Sequence, residues 1–291
     1  MRALSRCQPL LARFPTYFLG TFVLVGGLLA QPVVFPNFSS TAGLTLNSAS
    51  ATTGAVPSDG TVLHLVGTSV NDIGSVFVSN QVTVGAGFSA AFNFRLTAPG
   101  GITDGTGATG ADGLVFVVQR AGPTALGGGG EGMGYQGIGS SIGIEFDTFY
   151  NPGRADPNSN HIGFNAGGNV TSLATAPVSP AFDNGTKWTA WVDYNGTTLE
   201  VRVANDGIRP TAPLLSQPLS LTATIGGSSG YVGFTAGTGS AYANHEILAF
   251  TFSDTFVAGG VTPGLPIPEP QTWVLLALGA GGGWWWRRRR H

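Results

Sequence analysis

The sequence predicts an all-β fold, a sandwich of two antiparallel sheets. Three observations carry this. Short apolar runs recur through residues 33–255 with Gly, Asn, Asp and Ser between them, the pattern of strands joined by tight turns. Glycine is abundant at 46 of 291 residues while charged residues make up only 10%, which is too glycine-rich for a helical chain and too apolar for a disordered one. No helical period of useful length crosses the region. Strands with one apolar face bury it by packing sheet on sheet.

The chain opens with a segment outside this domain. Arg2, Arg6 and Arg13 precede an uncharged apolar run over residues 17–29, the pattern of an export signal. Residues 1–30 are expected to be a signal peptide cut after Ala30, because the run is short for a bilayer span. The single cysteine, Cys7, lies inside it, so the mature chain would carry no disulfide.

The domain, residues 33–255, then reads strand by strand. Residues 61–66, 75–84 and 88–96 are expected strands. Residues 114–118 are continuously apolar, as in a strand buried on both faces. Residues 188–194 and 197–203 flank Asn195-Gly196, which predicts a hairpin with a type I′ turn. Leu199, Val201 and Val203 alternate with Glu200 and Arg202, so one face is buried and the other wet.

Residues 256–267 contain Gly and Pro and read as a linker. Residues 268–291 hold Pro268-Glu269-Pro270, an apolar run of about 14 residues ending in tryptophans, and Arg287 to Arg290. Terminal tryptophans and arginines suit a membrane interface, although the run is shorter than the roughly 20 residues of a simple span. Both terminal apolar runs are expected to form helices outside the domain. Seven of the thirteen basic residues lie at the two ends, leaving six against all fifteen acidic ones between residues 31 and 270. An acidic body excludes a nucleic-acid surface.

The densest chemistry lies between residues 145 and 161. Glu145 and Asp147 are two apart, so on a strand both carboxylates share a face. Asn151, Asp156 and His161 follow at steps of four, five and five. Oxygen ligands suit calcium, and an imidazole beside carboxylates suits a transition ion such as manganese. Three carboxylates this close would repel one another without a cation.

The order and spacing of these residues resemble the metal loop of L-type (legume-type, concanavalin A-like) lectins. Five further blocks resemble the same family in the same order: Gly74-Ser75-Val76-Phe77, residues 88–94, Ala111-Asp112-Gly113-Leu114-Val115-Phe116, residues 231–236 and residues 245–252. His161-Ile162-Gly163 matches the end of the metal loop. The resemblance implies a concanavalin A-like jelly roll. It implies that Glu145 and His161 hold manganese or another transition ion, that Asp147 and Asp156 bridge two ions, and that Asn151 and the Phe149 carbonyl complete a calcium shell. It further implies that Asp112, after a cis peptide, orients a sugar, with Asn151 donating to the sugar and the Phe149 ring stacking on it. A backbone N–H from the glycine-rich stretch 127–139 would approach the sugar, with Gly130, Gly132 and Gly134 as candidates. Residues 238–244, including Ser240 and Ala241, would set specificity.

The tail resembles the PEP-CTERM sorting signal of bacterial exported proteins, which implies an exosortase-type membrane enzyme as a partner. The functional expectation is an exported, metal-dependent carbohydrate-binding protein without catalysis, at the cell surface or in exopolysaccharide, with homo-oligomers open. One alternative is a structural matrix protein without sugar affinity. Another is a β-sandwich glycoside hydrolase, but such enzymes need a second carboxylate flanking the scissile bond, and residues 149–151 hold none.

Overall fold

The computed structural model describes residues 32–267. The expected signal peptide, the sorting tail and the terminal helices proposed for them lie outside the described residues. The described chain is built from sixteen strands: β1 (Val33–Phe35), β2 (Leu44–Asn47), β3 (Ser50–Thr53), β4 (Thr61–Val66), β5 (Ile73–Val78), β6 (Val82–Thr83), β7 (Phe88–Gly101) and β8 (Gly113–Gln119), then β9 (Ser141–Asp147), β10 (His161–Ala166), β11 (Ala174–Pro177), β12 (Trp188–Tyr194), β13 (Thr198–Ala204), β14 (Leu215–Pro218), β15 (Ser229–Gly237) and β16 (Ala241–Ser253). They form two sheets of eight. The first runs β14-β13-β12-β7-β16-β4-β3 with β1 on β16, and the second runs β11-β10-β9-β8-β15-β5-β2 with β6 on β15. The named strand pairs are antiparallel, so the all-β sandwich expected from the sequence is the observed fold.

Alternation decides which side chains meet between the sheets. Phe92 and Phe94 of β7, Phe116 of β8, Ile144 and Phe146 of β9 and Phe234 of β15 all enter one core. The Phe92 ring centre lies 4.8 Å from that of Phe234 and 5.5 Å from that of Phe146, both edge to face. That geometry aligns the positive ring edge with the negative face. Fully burying each such ring contributes about 1.5–3 kcal/mol. A second cluster covers the other face of β8, where Val115 and Val117 pack with Met133, Tyr135 and Ile138. This explains the continuous apolar run at residues 114–118.

Several local expectations change. The hairpin between β12 and β13 forms, but Tyr194 pairs with Leu199 and Asn195 N–H donates to the Thr198 carbonyl at 3.1 Å. The two central residues are therefore Gly196 and Thr197, and only Gly196 has positive φ, at 97°, so the expected type I′ turn, which needs two positive φ values, does not form. Asn195 instead caps the turn, its Oδ1 accepting from the N–H groups of Thr197 and Thr198. The strand expected at 75–84 divides into β5 and β6 around Ser79 and Asn80, which bend. A five-residue helix, Leu221–Ile225, buries Leu221 and Ile225; it is too short to leave a sequence period. The stretch read as a linker lies along the first sheet: Val261 is buried with Trp191 and Ala91, and Trp191 Nε1–H donates to the Val261 carbonyl at 3.1 Å.

Candidate functional site

The register of three strands assembles the site. Asp147 ends β9, opposite His161 on β10 and opposite Gly113 on β8. Glu145 lies two residues back on the same face as Asp147, opposite Gly163. A side chain at Gly163 would collide with the Glu145 carboxylate and the Ser172 hydroxyl, so glycine there makes room for the acid. Asn165 Nδ2 and the Ser172 hydroxyl both donate to Glu145.

The loop from Thr148 to Asn160 returns Asp156 to this pair. A turn at Pro152–Arg154 ends at Ala155 in the left-handed region, φ 66°, and Asn151 N–H donates to Asp156 Oδ2 at 2.7 Å. Ligand atoms of Asp147, Asp156 and His161 then lie within 4.8 Å of one another. His161 Nε2 is 3.5 Å from Glu145 Oε1 and 3.8 Å from Asp156 Oδ1. Its Nδ1 is 3.2 Å from the Asn158 carbonyl. A carbonyl only accepts, so Nδ1 carries a proton, and Nε2 is the ring nitrogen turned towards the carboxylates. That Nε2 is buried and has no hydrogen-bond partner.

Burial works against the charge on two carboxylates of this cluster. Burial, then the charges of Glu145 and Asp156, push the Asp147 carboxyl well above its usual range against one hydrogen bond from Phe149 N–H. Burial likewise raises Asp156 to about 6, although Asn151 N–H and His161 oppose it. Carboxyls that burial raises, beside an unpartnered imidazole nitrogen, are a donor set that a divalent cation satisfies. The Asp147, Asp156 and His161 donor set therefore fits a divalent cation.

Asp112 lies beside this cluster. The Ala111–Asp112 peptide is cis. Asp112 N–H donates to the Gly237 carbonyl at 2.9 Å, and its carbonyl accepts from Thr148 N–H at 3.0 Å. The side chain is 4% exposed, and Oδ2 has no partner. Burial, then the nearby Glu131 charge, raise its carboxyl to about 7 against the Gly239 N–H.

The glycine-rich stretch is a pinned turn rather than a free connection. Gly127 N–H donates to the Gly134 carbonyl at 2.7 Å and Gly128 N–H to that of Gln136 at 3.0 Å. The three candidate glycines differ in place. A Cβ at Gly239 would touch both Gly130 Cα, at 3.5 Å, and Asp112 Oδ2, at 3.3 Å, so Gly130 lies beside Asp112. Gly132 turns towards Gln136, and Gly134 packs against Ala236. All three N–H groups already donate inside the protein, to Thr238, Gly129 and Gly128 respectively.

The specificity stretch is also shorter than expected. Ala241 to Asn244 belong to β16, which leaves Thr238, Gly239 and Ser240 as the turn. Thr238 Oγ1 donates to the Ser69 carbonyl at 2.6 Å and accepts from Asp72 N–H at 2.8 Å. Ser240 is exposed and Ala241 is buried.

Three residues at this end of the molecule were not found from sequence. Arg154 and Glu131 form an ion pair that ties the metal loop to the glycine turn. Asp104, 8% exposed, accepts from Tyr150 N–H at 3.0 Å. The only sequence signal at Asp104 is Asp before Gly, which reads as an ordinary turn.

Comparison with known proteins points to one family for the domain that holds these residues. The family model of the L-type lectin domain, described as a legume lectin beta-barrel domain, matches residues 36–251. The L-type lectin-domain containing receptor kinase VIII.1 of Arabidopsis thaliana is 32% identical over 190 residues, 62% of this chain and 26% of that protein. The probable inactive receptor kinase III.1 of the same class and organism is 32% identical over 246 residues, 72% of this chain and 37% of that protein. The chain thus spans roughly a quarter to a third of the length of these relatives. Among solved structures, basic winged bean lectin with Tn-antigen superposes with a TM-score of 0.63 at 26% identity, covering 76% of this chain and 96% of the other. The metal-free form of lectin I-B4 from Griffonia simplicifolia gives 0.60 at 25%, covering 76% and 98%.

Proposed function

This chain belongs to the L-type lectin domain family, and on that premise we propose that it binds carbohydrate through a site that needs two metal ions. The observation that carries the reading is the contact between its two halves: the Asp112 backbone carbonyl takes Thr148 N–H at the start of the metal loop, while its buried side-chain Oδ2 has no partner. Glu145 and His161 would hold manganese or another transition ion, Asp147 and Asp156 would bridge, and Asn151 with the Phe149 carbonyl would hold calcium. Bound metal would supply positive charge that keeps the buried carboxylates ionised and fixes the loop. Asp112 Oδ2 would accept from sugar hydroxyls, Asn151 would donate, and the Phe149 ring would stack on the apolar sugar face. Ser240, on the Thr238–Ser240 turn, would border the ligand opposite Gly130.

The role is binding without catalysis, because the strand carrying Glu145 and Asp147 lacks the partner carboxylate that glycoside cleavage needs. We further propose export from a bacterial cell, removal of residues 1–30, and handling of residues 268–291 by an exosortase-type enzyme, with exopolysaccharide as the ligand in place. Among the described residues no helix is long and apolar enough to cross a membrane. Intact-mass measurement of exported protein checks the processing; both ends retained would refute it. A glycan array run with and without chelator checks the binding. Metal-dependent signal on a defined sugar class is the expected result, and its absence from metal-loaded protein would leave a structural matrix role.

A further inference from the structure

We propose that Asp104 is a positioning residue that aims the Phe149 carbonyl and so sets the calcium side of the loop before any ion arrives. The inference rests on the metal-dependent reading above. Asp104 belongs to a small hairpin between β7 and β8, closed by the Thr103–Thr109 bridge. Its Oδ1 accepts from Thr106 N–H at 2.8 Å, the Thr106 hydroxyl at 2.7 Å and Ala108 N–H at 3.0 Å. Those three bonds make the hairpin rigid and fix the carboxylate plane. The other oxygen, Oδ2, points out of the hairpin and takes Tyr150 N–H at 3.0 Å.

The Tyr150 N–H and the Phe149 carbonyl belong to one peptide plane, and a trans peptide holds them on opposite sides. Fixing the N–H therefore fixes the direction of the carbonyl. A carboxylate on the N–H also polarises the amide and makes the carbonyl oxygen a better ligand. A second contact, between the Thr106 and Ser159 hydroxyls at 3.1 Å, ties the hairpin to the far limb of the same loop. Burial pushes the Asp104 carboxyl up, but the N–H groups and the hydroxyl it accepts hold it below its usual range, so it stays an ionised acceptor at neutral pH.

The Asp104→Asn variant tests this. Asparagine can keep the three hairpin bonds on its oxygen, but its NH2 then meets Tyr150 N–H, donor against donor. The hairpin survives and the link to the loop is lost. Partners one step removed from a metal typically change its affinity by about 10–100-fold when mutated. Calorimetric titration of full-length Asp104→Asn should show calcium affinity reduced in that range, with manganese affinity unchanged. Amide exchange at Tyr150 in chelator-treated protein should be faster than in the wild type. Thr106→Val, which removes the hydroxyl from Asp104 and from Ser159 but spares the Tyr150 bond, should lower calcium affinity by less than Asp104→Asn does. Equal calcium affinity for Asp104→Asn and wild type would overturn the inference. So would equal losses of both ions with a lowered melting temperature, since that marks a general packing role. Wild type that takes up no calcium would instead refute the metal reading itself.

Discussion

The two faces of β9 are made of neighbouring residues and behave as opposites. Ile142, Ile144 and Phe146 face the other sheet, where Phe146 lies 5.2 Å from Phe94 and 5.7 Å from Phe182, ring centre to ring centre. Each of these groups has what it needs: apolar contact on all sides. Glu145 and Asp147, one residue away, are as deeply buried, yet burial and mutual repulsion work against the charge on Asp147, and the facing His161 Nε2 has no partner. A strand must present alternate residues to alternate faces, so the fold brings a satisfied surface and an unsatisfied one into the same element. The satisfied face stabilises the sandwich. The unsatisfied face is where a ligand gains most, because the desolvation of its groups has already occurred on folding.

The largest effect should come from the satisfied face. Phe146→Ala removes a fully buried ring and should cost about 3–5 kcal/mol, read from the urea midpoint. The loss should be the same with and without chelator; a loss that depends on chelator would show that the two faces are coupled. Next is the charged face. Chelation of wild-type protein held at 100-fold over its dissociation constant should remove about 2.7 kcal/mol, and Asp147→Ala should show no chelator response. A melting curve of the wild type unmoved by chelator would break the comparison outright.

Asp112→Asn keeps shape and loses a charged acceptor. Sugar affinity should fall by roughly one to three orders of magnitude, since charge-assisted bonds contribute about 1.5–3 kcal/mol each and 1.4 kcal/mol is tenfold. Metal content should not change. Calorimetric titration with an array-identified glycan, alongside metal analysis, reads both.

A smaller effect separates metal-free from metal-loaded protein by pH. Asp112 at about 7 and Asp156 at about 6 are both raised from 3.8, so the folded chelated protein takes up protons that the unfolded chain does not. Their stabilisation is full below 3.8 and is lost as pH rises through 6 to 7. Chelated protein should therefore become more stable as pH falls from 8 to about 6.5. Metal-loaded protein should show the reverse, because protons then compete with the ions. Below about 6.5 His245 opposes the trend: burial holds it down to about 4, so the unfolded chain binds its proton first and the gain in stability with further acid becomes shallower. Smallest of all should be Arg154→Ala. The pair with Glu131 is partly exposed, and such pairs contribute about 0–1 kcal/mol, so thermal melting should barely move.

The amino-acid order by itself determined whatever depends on period and short spacing. Alternation placed Phe92, Phe94, Phe116 and Phe146 in the core, the continuous run at 114–118 marked a strand covered on both faces, and steps of two to five residues selected Glu145, Asp147, Asn151, Asp156 and His161. These are local regularities of the backbone, fixed by the two-residue repeat of a strand and the reach of one loop. Only the tertiary structure decided the rest. Asp104 meets Tyr150 across 46 residues and Glu131 meets Arg154 across 23, and neither separation follows a period. Gly130 rather than Gly132 or Gly134 came to lie beside Asp112 because of the neighbouring turn at Gly239, and residues 256–267 came to rest along the first sheet because Trp191 offered them an indole N–H. Contacts of this kind depend on which strands become neighbours, and a pleat that repeats every two residues carries no record of that.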